Sequence, residues 1–130
     1  GEEHPAVATV LGSLGILYRR QGDYDKAVTV LERALAIAAE VFPPNHQQTA
    51  LALANLASAY DHKDMPEKSI AAFRRALAMY EALGGPTHAN VADTLRGLAN
   101  VLAGAGQREE AKQDFARALA ILTEREDDPQ

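Results

Sequence analysis

Apolar residues along this chain recur every three to four positions, in six separate bursts. Val7, Leu11, Leu14 and Tyr18 share one face of a helix at that spacing. Gln21-Gly22-Asp23 interrupts the pattern, and Ala27, Leu31, Ala34, Leu35 and Ala38 resume it. Two helices joined by so short a turn lie antiparallel. Phe42-Pro43-Pro44-Asn45 closes this hairpin, because proline cannot continue a helix. Thr49, Leu53, Leu56 and Tyr60 mark a third helix, and Ile70, Phe73, Ala76, Leu77 and Tyr80 a fourth. After Gly84-Gly85-Pro86-Thr87 come Val91, Leu95, Leu98 and Leu102. Gly104-Ala105-Gly106 then leads to Ala111, Phe115, Ala118, Leu119 and Leu122. Pro5 suits a first helical turn. Asn45 with Gln48, and Asp64 with Glu67 around Pro66, read as capping boxes.

The bursts are copies of one another. Displaced by 42 residues, Leu11 falls on Leu53 and Leu95, Leu31 on Phe73 and Phe115, and Ala34 on Ala76 and Ala118. A fixed period of this size marks a repeat architecture. The expected fold is all-α, with six helices in three antiparallel hairpins. The repeats span 1–44, 45–86 and 87–125, and 126–130 form an acidic, unstructured tail. Small residues recur where helices cross: Gly15, Ala57 and Ala99 on the first helices, and Ala27, Ser69 and Ala111 on the second, with Ala34, Ala76 and Ala118 beside them. Such positions let helix axes approach closely. Gly1 aligns with Gly85, so the chain opens inside an inter-repeat linker and reads as a segment of a longer protein.

Composition narrows the function classes. Aromatic residues are only 5% of the 130, and the abundance of Ala and Leu favours packed helices over sheet. A net charge of −5 argues against a nucleic-acid partner, which calls for a basic stripe. There is no cysteine, so disulfides and thiolate metal sites are excluded and a cytoplasmic setting is permitted. No apolar run is long enough to span a membrane.

A small residue in mid-helix, an aromatic at the helix end, a Gly-Asp or Gly-Gln turn, then Ala, Leu or Phe and Ala: this pattern resembles the tetratricopeptide repeat. The usual period there is 34 residues. The 42-residue spacing, the histidines at each repeat start (His4, His46, His88) and stretches such as LYRRQGDYDKAVTVLERALAI resemble the kinesin-light-chain variety. The resemblance implies a right-handed superhelical solenoid whose concave face, lined by the first helices, holds a peptide or partner helix. The sequence departs from that variety where paired asparagines are common: Gly12-Ser13, Ala54-Asn55 and Arg96-Gly97 stand there. Of the residues with which some tetratricopeptide domains clamp a chaperone's C-terminal carboxylate, only Asn55 has a counterpart.

Projected opposite the core, the concave face carries Ser13, Ile16 and Arg19–Arg20, then Asn55, Ser58 and His62, then Asp93, Arg96, Gly97 and Asn100. Asn55, Asn100 and Arg96 suit donation to a peptide backbone or carboxylate, and Arg19 favours an acidic ligand. The histidines are too far apart to share a metal, since successive repeats lie about 18–20 Å apart. Gly104-Ala105-Gly106 lacks the Lys-Ser/Thr and preceding strand of a phosphate loop. No nucleophile–base pair, cofactor motif or metal motif emerges, so a non-catalytic binding module is the expectation. The alternative is a self-assembling segment that stacks end to end, because no polar capping helix follows Phe115, Leu119 and Leu122.

Overall fold

The computed structural model describes residues 4–84 and 89–127, with side chains as far as Glu124. Six helices account for most of it: α1 (Pro5–Arg20), α2 (Tyr24–Val41), α3 (Gln47–His62), α4 (Pro66–Gly84), α5 (Ala89–Gly104) and α6 (Arg108–Asp127). Each odd helix packs on the even helix that follows it, and α2 and α4 also pack on the next hairpin. The first helices approach closely along their row, α1 on α3 and α3 on α5, whereas the backbones of α2, α4 and α6 stay farther apart. That difference makes the stack a curved solenoid with α1, α3 and α5 on its inner side.

Each hairpin turns in the same way. Asp23 N–H donates to Tyr18 C=O at 2.9 Å, Met65 to Tyr60 at 3.0 Å and Gln107 to Leu102 at 2.9 Å. These bonds satisfy helix-end carbonyls across one left-handed residue. Gly22 (φ +81°), Asp64 (φ +60°) and Gly106 (φ +87°) are those residues. Asp64 is thus the left-handed turn residue, and the expected box with Glu67 gives way to it. Helix α4 starts at Pro66, directly after Met65, whose carbonyl accepts from Ser69 N–H.

The N-caps also differ from expectation. Asn45 takes φ +58° to turn the chain, and His46 caps α3, its Nδ1 accepting from Gln48 N–H at 3.0 Å. His4 caps α1 identically through Ala6 N–H. The Phe42 ring stacks on His46 at 4.0 Å, which fixes the imidazole in place. Beyond Gly84, the remainder of the second linker, including His88, lies outside the described residues. Helix α6 keeps helical backbone through Asp127, two residues into the stretch expected to be an unstructured tail.

The small residues sit where the helices cross. Gly15 is buried, and a Cβ there would lie 2.4 Å from Leu31 Cγ. Ala27, Ala57, Ala76 and Ala99 are fully buried. Ser69, which replaces the alanine of the other repeats, donates its hydroxyl to Ala57 C=O at 2.7 Å, so its buried hydroxyl is satisfied. The middle of the stack is best enclosed: Thr49, Leu53, Leu56 and Tyr60 are all buried, as are Val91, Leu95, Leu98 and Leu102. The ends depart from the expected core. On α1, Ala8 and Gly15 are buried while Val7, Leu11, Leu14 and Tyr18 are half-covered. On α6, Ile121 is buried instead of Leu119 and Leu122, and Phe115 is 37% exposed, with no helix among the described residues packed over it.

Candidate functional site

The inner row of first helices carries two adjoining clefts. The first, about 110 Å³, opens between α1 and α3 beside Gly12, Ser13, Ile16 and Leu51, with Leu31 and Ala34 at its base. Gly12 faces this open space, where a Cβ would meet nothing within 4 Å. The second is wider, about 660 Å³, and lies between α3 and α5. Ser58, Asp93, Arg96, Gly97 and Asn100 surround it, and Phe73 and Tyr80 rise into it from α4. Gly97 admits the Phe73 ring: a Cβ at this position would lie 2.7 Å from the ring carbons. The second cleft therefore has an aromatic floor.

Asn55 borders both clefts and joins them chemically. Its Oδ1 accepts from Arg19 Nε at 3.0 Å, and its Nδ2 donates to Leu51 C=O at 2.9 Å. The carboxamide is thereby oriented by its own helix and holds a guanidinium reaching over from α1. Only Nε is used in that bond, so the terminal nitrogens of Arg19 keep their donors for a carboxylate or a carbonyl. Arg96 lies 3.4 Å from Asp93, an exposed pair worth little in isolation and easily exchanged for another partner. Burial, and then the charge of Asp93, push the Tyr80 phenol above its ordinary pKa of 10.0, so it stays protonated.

The projected residues thus divide into three sets. Ser13 and Ile16 border the first cleft; Arg19, Ser58, Arg96 and Asn100 border the second; Asn55 borders both. His62 stands apart, stacked on Tyr24 with ring centroids 4.5 Å apart and its Nδ1 2.9 Å from Ser58 C=O. Arg20 is exposed and borders neither cleft. Helical phase alone missed Phe73, Tyr80 and Asn90, because the first two come from a second helix whose core face is open at its inner edge. The available signal was Gly97, a missing side chain where the other repeats have Ser13 and Asn55. Among the described residues, no three His, Cys, Asp or Glu side chains gather closely enough to hold a metal ion. No helix among the described residues is long and apolar enough to cross a membrane.

Solved structures share this architecture. BtubC (BKLC) from P. vanneervenii superposes with a TM-score of 0.86 at 28% identity, over 91% of this chain and 47% of that one. A Podosopora anserina structure described as a kinesin light chain with nearly identical TPR-like repeats gives 0.83 at 22% identity, over 97% and 61%. The TPR domain of Arabidopsis FLU gives 0.81 at 17% identity, over 91% and 96%. This chain therefore spans about half the length of BtubC and about three fifths of the Podosopora protein. A search of curated proteins finds no match to the sequence. The family profile of the tetratricopeptide repeat matches residues 6–82 and again 48–124, two overlapping windows that together cover nearly every helix. The fold is shared with solved kinesin-light-chain-like repeat proteins, and the chain itself belongs to the tetratricopeptide repeat family.

Proposed function

We propose that this segment is a non-catalytic protein-interaction module that docks a short acidic peptide along the α1–α3–α5 face. The observation that carries the reading is the Arg19–Asn55 bridge, which holds a cation between a small apolar cleft and a wide aromatic-floored one. A ligand side chain enters the first cleft, its backbone runs past Asn55 and Asn100, and a carboxylate meets Arg19 or draws Arg96 from Asp93. Fold precedent supports the reading: the second TPR of Spaghetti (RPAP3), solved with the HSP90 peptide SRMEEVD, has a TM-score of 0.73 to this chain at 21% identity. The module acts in this reading within a larger cytoplasmic scaffold or signalling protein, without cofactor, nucleic acid or membrane.

Selection from a random peptide library against the wild-type domain tests the reading, with Asn55→Ala/Arg96→Glu as counter-selection. Acidic or extended consensus peptides that the double variant loses support the groove. Peptides indifferent to the double change, or no enrichment at all, sink it.

A second reading, end-to-end assembly, rests on the two ends of the stack. Val10 and Leu17 on α1 are 64% and 51% exposed, and Leu119 and Leu122 on α6 are 66% and 46% exposed. Within the stack the equivalents of Val10, Leu17 and Leu122 are buried, and those of Leu119 are half-buried. A scattering mass that grows with concentration, and that Leu122→Glu returns to monomer without loss of helicity, would establish self-association. A monomer at every concentration removes it.

A further inference from the structure

The outer row of second helices is not uniform. Between α4 and α6, two ion pairs lie across the space the helices leave: Arg74 to Glu110 at 2.6 Å and Arg117 to Glu81 at 2.7 Å. One repeat earlier, the four equivalent positions are Glu32, Lys68, Arg75 and Ala39. Glu32 is turned onto the Tyr60 hydroxyl, which donates to it at 2.6 Å, and Lys68 Nζ sits 5.6 Å from the centroid of the Tyr60 ring. Ala39 offers no carboxylate, and Arg75 has no hydrogen-bonding or ionic partner among the described residues. Among the described residues, no ion pair bridges α2 to α4 as those two bridge α4 to α6.

An open cleft of about 470 Å³ results on the outer surface. Leu35, Leu53 and Leu56 form its floor and Ala36, Ala39 and Ala71 its walls. In the next repeat, the floor position held by Ala72 is Asp114 and the wall position held by Ala71 is Gln113, so that groove is polar as well as bridged. The α2–α4 cleft thus combines an apolar floor with a rim whose one carboxylate is engaged by Tyr60 and which carries two cations, Lys68 beside the Tyr60 ring and Arg75. An apolar cleft with cationic edges is complementary to an acidic, aliphatic segment.

We propose that the outer α2–α4 cleft is a second docking site. Its occupant is a segment of another protein that seats an aliphatic side chain against Leu35 and Ala39, above the buried Leu53 and Leu56, and sets an Asp or Glu against Arg75. The site lies on the opposite side of the solenoid from the concave groove, so it stands or falls separately.

Transplanting the neighbouring bridges tests it. Glu32→Arg/Ala39→Glu/Lys68→Glu places across α2–α4 the charges that already span α4–α6. Peptides from a random displayed library, selected on the wild-type chain, are titrated by fluorescence anisotropy against this triple variant, Arg75→Ala and Asn55→Ala/Arg96→Glu. The expected result is a class of peptides pairing Leu, Ile or Met with a carboxylate. Their Kd rises about tenfold or more in the triple variant and in Arg75→Ala, and holds in the concave-face variant. Circular dichroism checks the fold of the triple variant, and Arg75→Ala, at an exposed position, serves alone if the triple variant unfolds. Peptides sensitive only to the concave-face changes, or none at all, overturn the proposal. So does a wild-type dimer that Arg75→Ala returns to monomer, because a second copy would then be the occupant.

Discussion

Phe73 and Phe115 stand at the same place in successive repeats and meet different fates. Phe73 is 6% exposed, closed in by α5 and by the space Gly97 leaves for its ring. Phe115 points from the corresponding turn of α6 toward a helix this segment does not supply, and is 37% exposed. Leu31, their counterpart in the first repeat, is fully buried against α1 and α3. Identical periodic placement therefore specifies which way a side chain points but not what covers it. In a solenoid the core belongs to the junction between repeats, and each repeat is only as stable as its neighbours make it.

The sharpest way to break this comparison is truncation at both sites. Phe73→Ala should cost about 3–5 kcal/mol, since a buried aromatic leaves a cavity among residues that cannot collapse fully. Phe115→Ala should cost less than half as much, because water already reaches the ring. Paired chemical denaturation curves decide it, and equal losses would mean that α6 is covered in solution.

A smaller effect separates the faces of α4. Ala76 is fully buried at a helix crossing and Ala78 is exposed. Ala76→Leu should overpack the crossing at a cost of about 1–3 kcal/mol, while Ala78→Leu stays within about 0.5 kcal/mol of wild type. Melting temperatures of the two variants test it, and an unchanged value for Ala76→Leu would displace that helix contact.

The smallest effect concerns the α4–α6 groove. Burial, and next the charge of Glu110, raise the Asp114 carboxyl above 3.8, while Arg117 and Arg74 oppose the rise. Its Oδ2 is buried without a hydrogen-bond partner. With the folded pKa above the unfolded one, the native state holds the proton longer. The contribution of Asp114 to stability is greatest below pH 3.8 and declines as pH rises through the raised folded value. Asp114→Asn should flatten that decline, measured as the difference in denaturation midpoint from wild type across a pH series. A parallel pair of curves would mean that Asp114 titrates normally.

Much of the fold was legible because the signals are local and repeated. The 3.6-residue apolar spacing, the turn glycines and the 42-residue period required no knowledge of distant contacts, and all six helices fall where they point. The capping residues were legible only in part. His46 rather than Asn45 caps α3, although the recurrence of histidine at His4 and His46 was visible; its Nδ1 reaches the N–H two residues on, a geometry the Asn-x-x-Gln pattern concealed. Asp64 likewise resembled a cap but answers a need for positive φ that Gly22 and Gly106 meet in the other turns.

The candidate site was half legible for the same reason. Helical phase put Ser13, Ile16, Arg19, Asn55, Ser58, Arg96 and Asn100 on the inner row, since phase is a property of a single helix. It could not bring Phe73 into the groove, bind Arg19 to Asn55 or take His62 away to Tyr24, because each depends on the distance between different helices. What the sequence determined by itself was the repeat, the helices and the direction in which each side chain leaves its axis. What only the tertiary structure decided was closure: which grooves ion pairs bridge, which stay open, and which apolar faces lack a neighbour. Closure depends on side chains meeting across the stack, and a period read along one chain carries no record of those meetings.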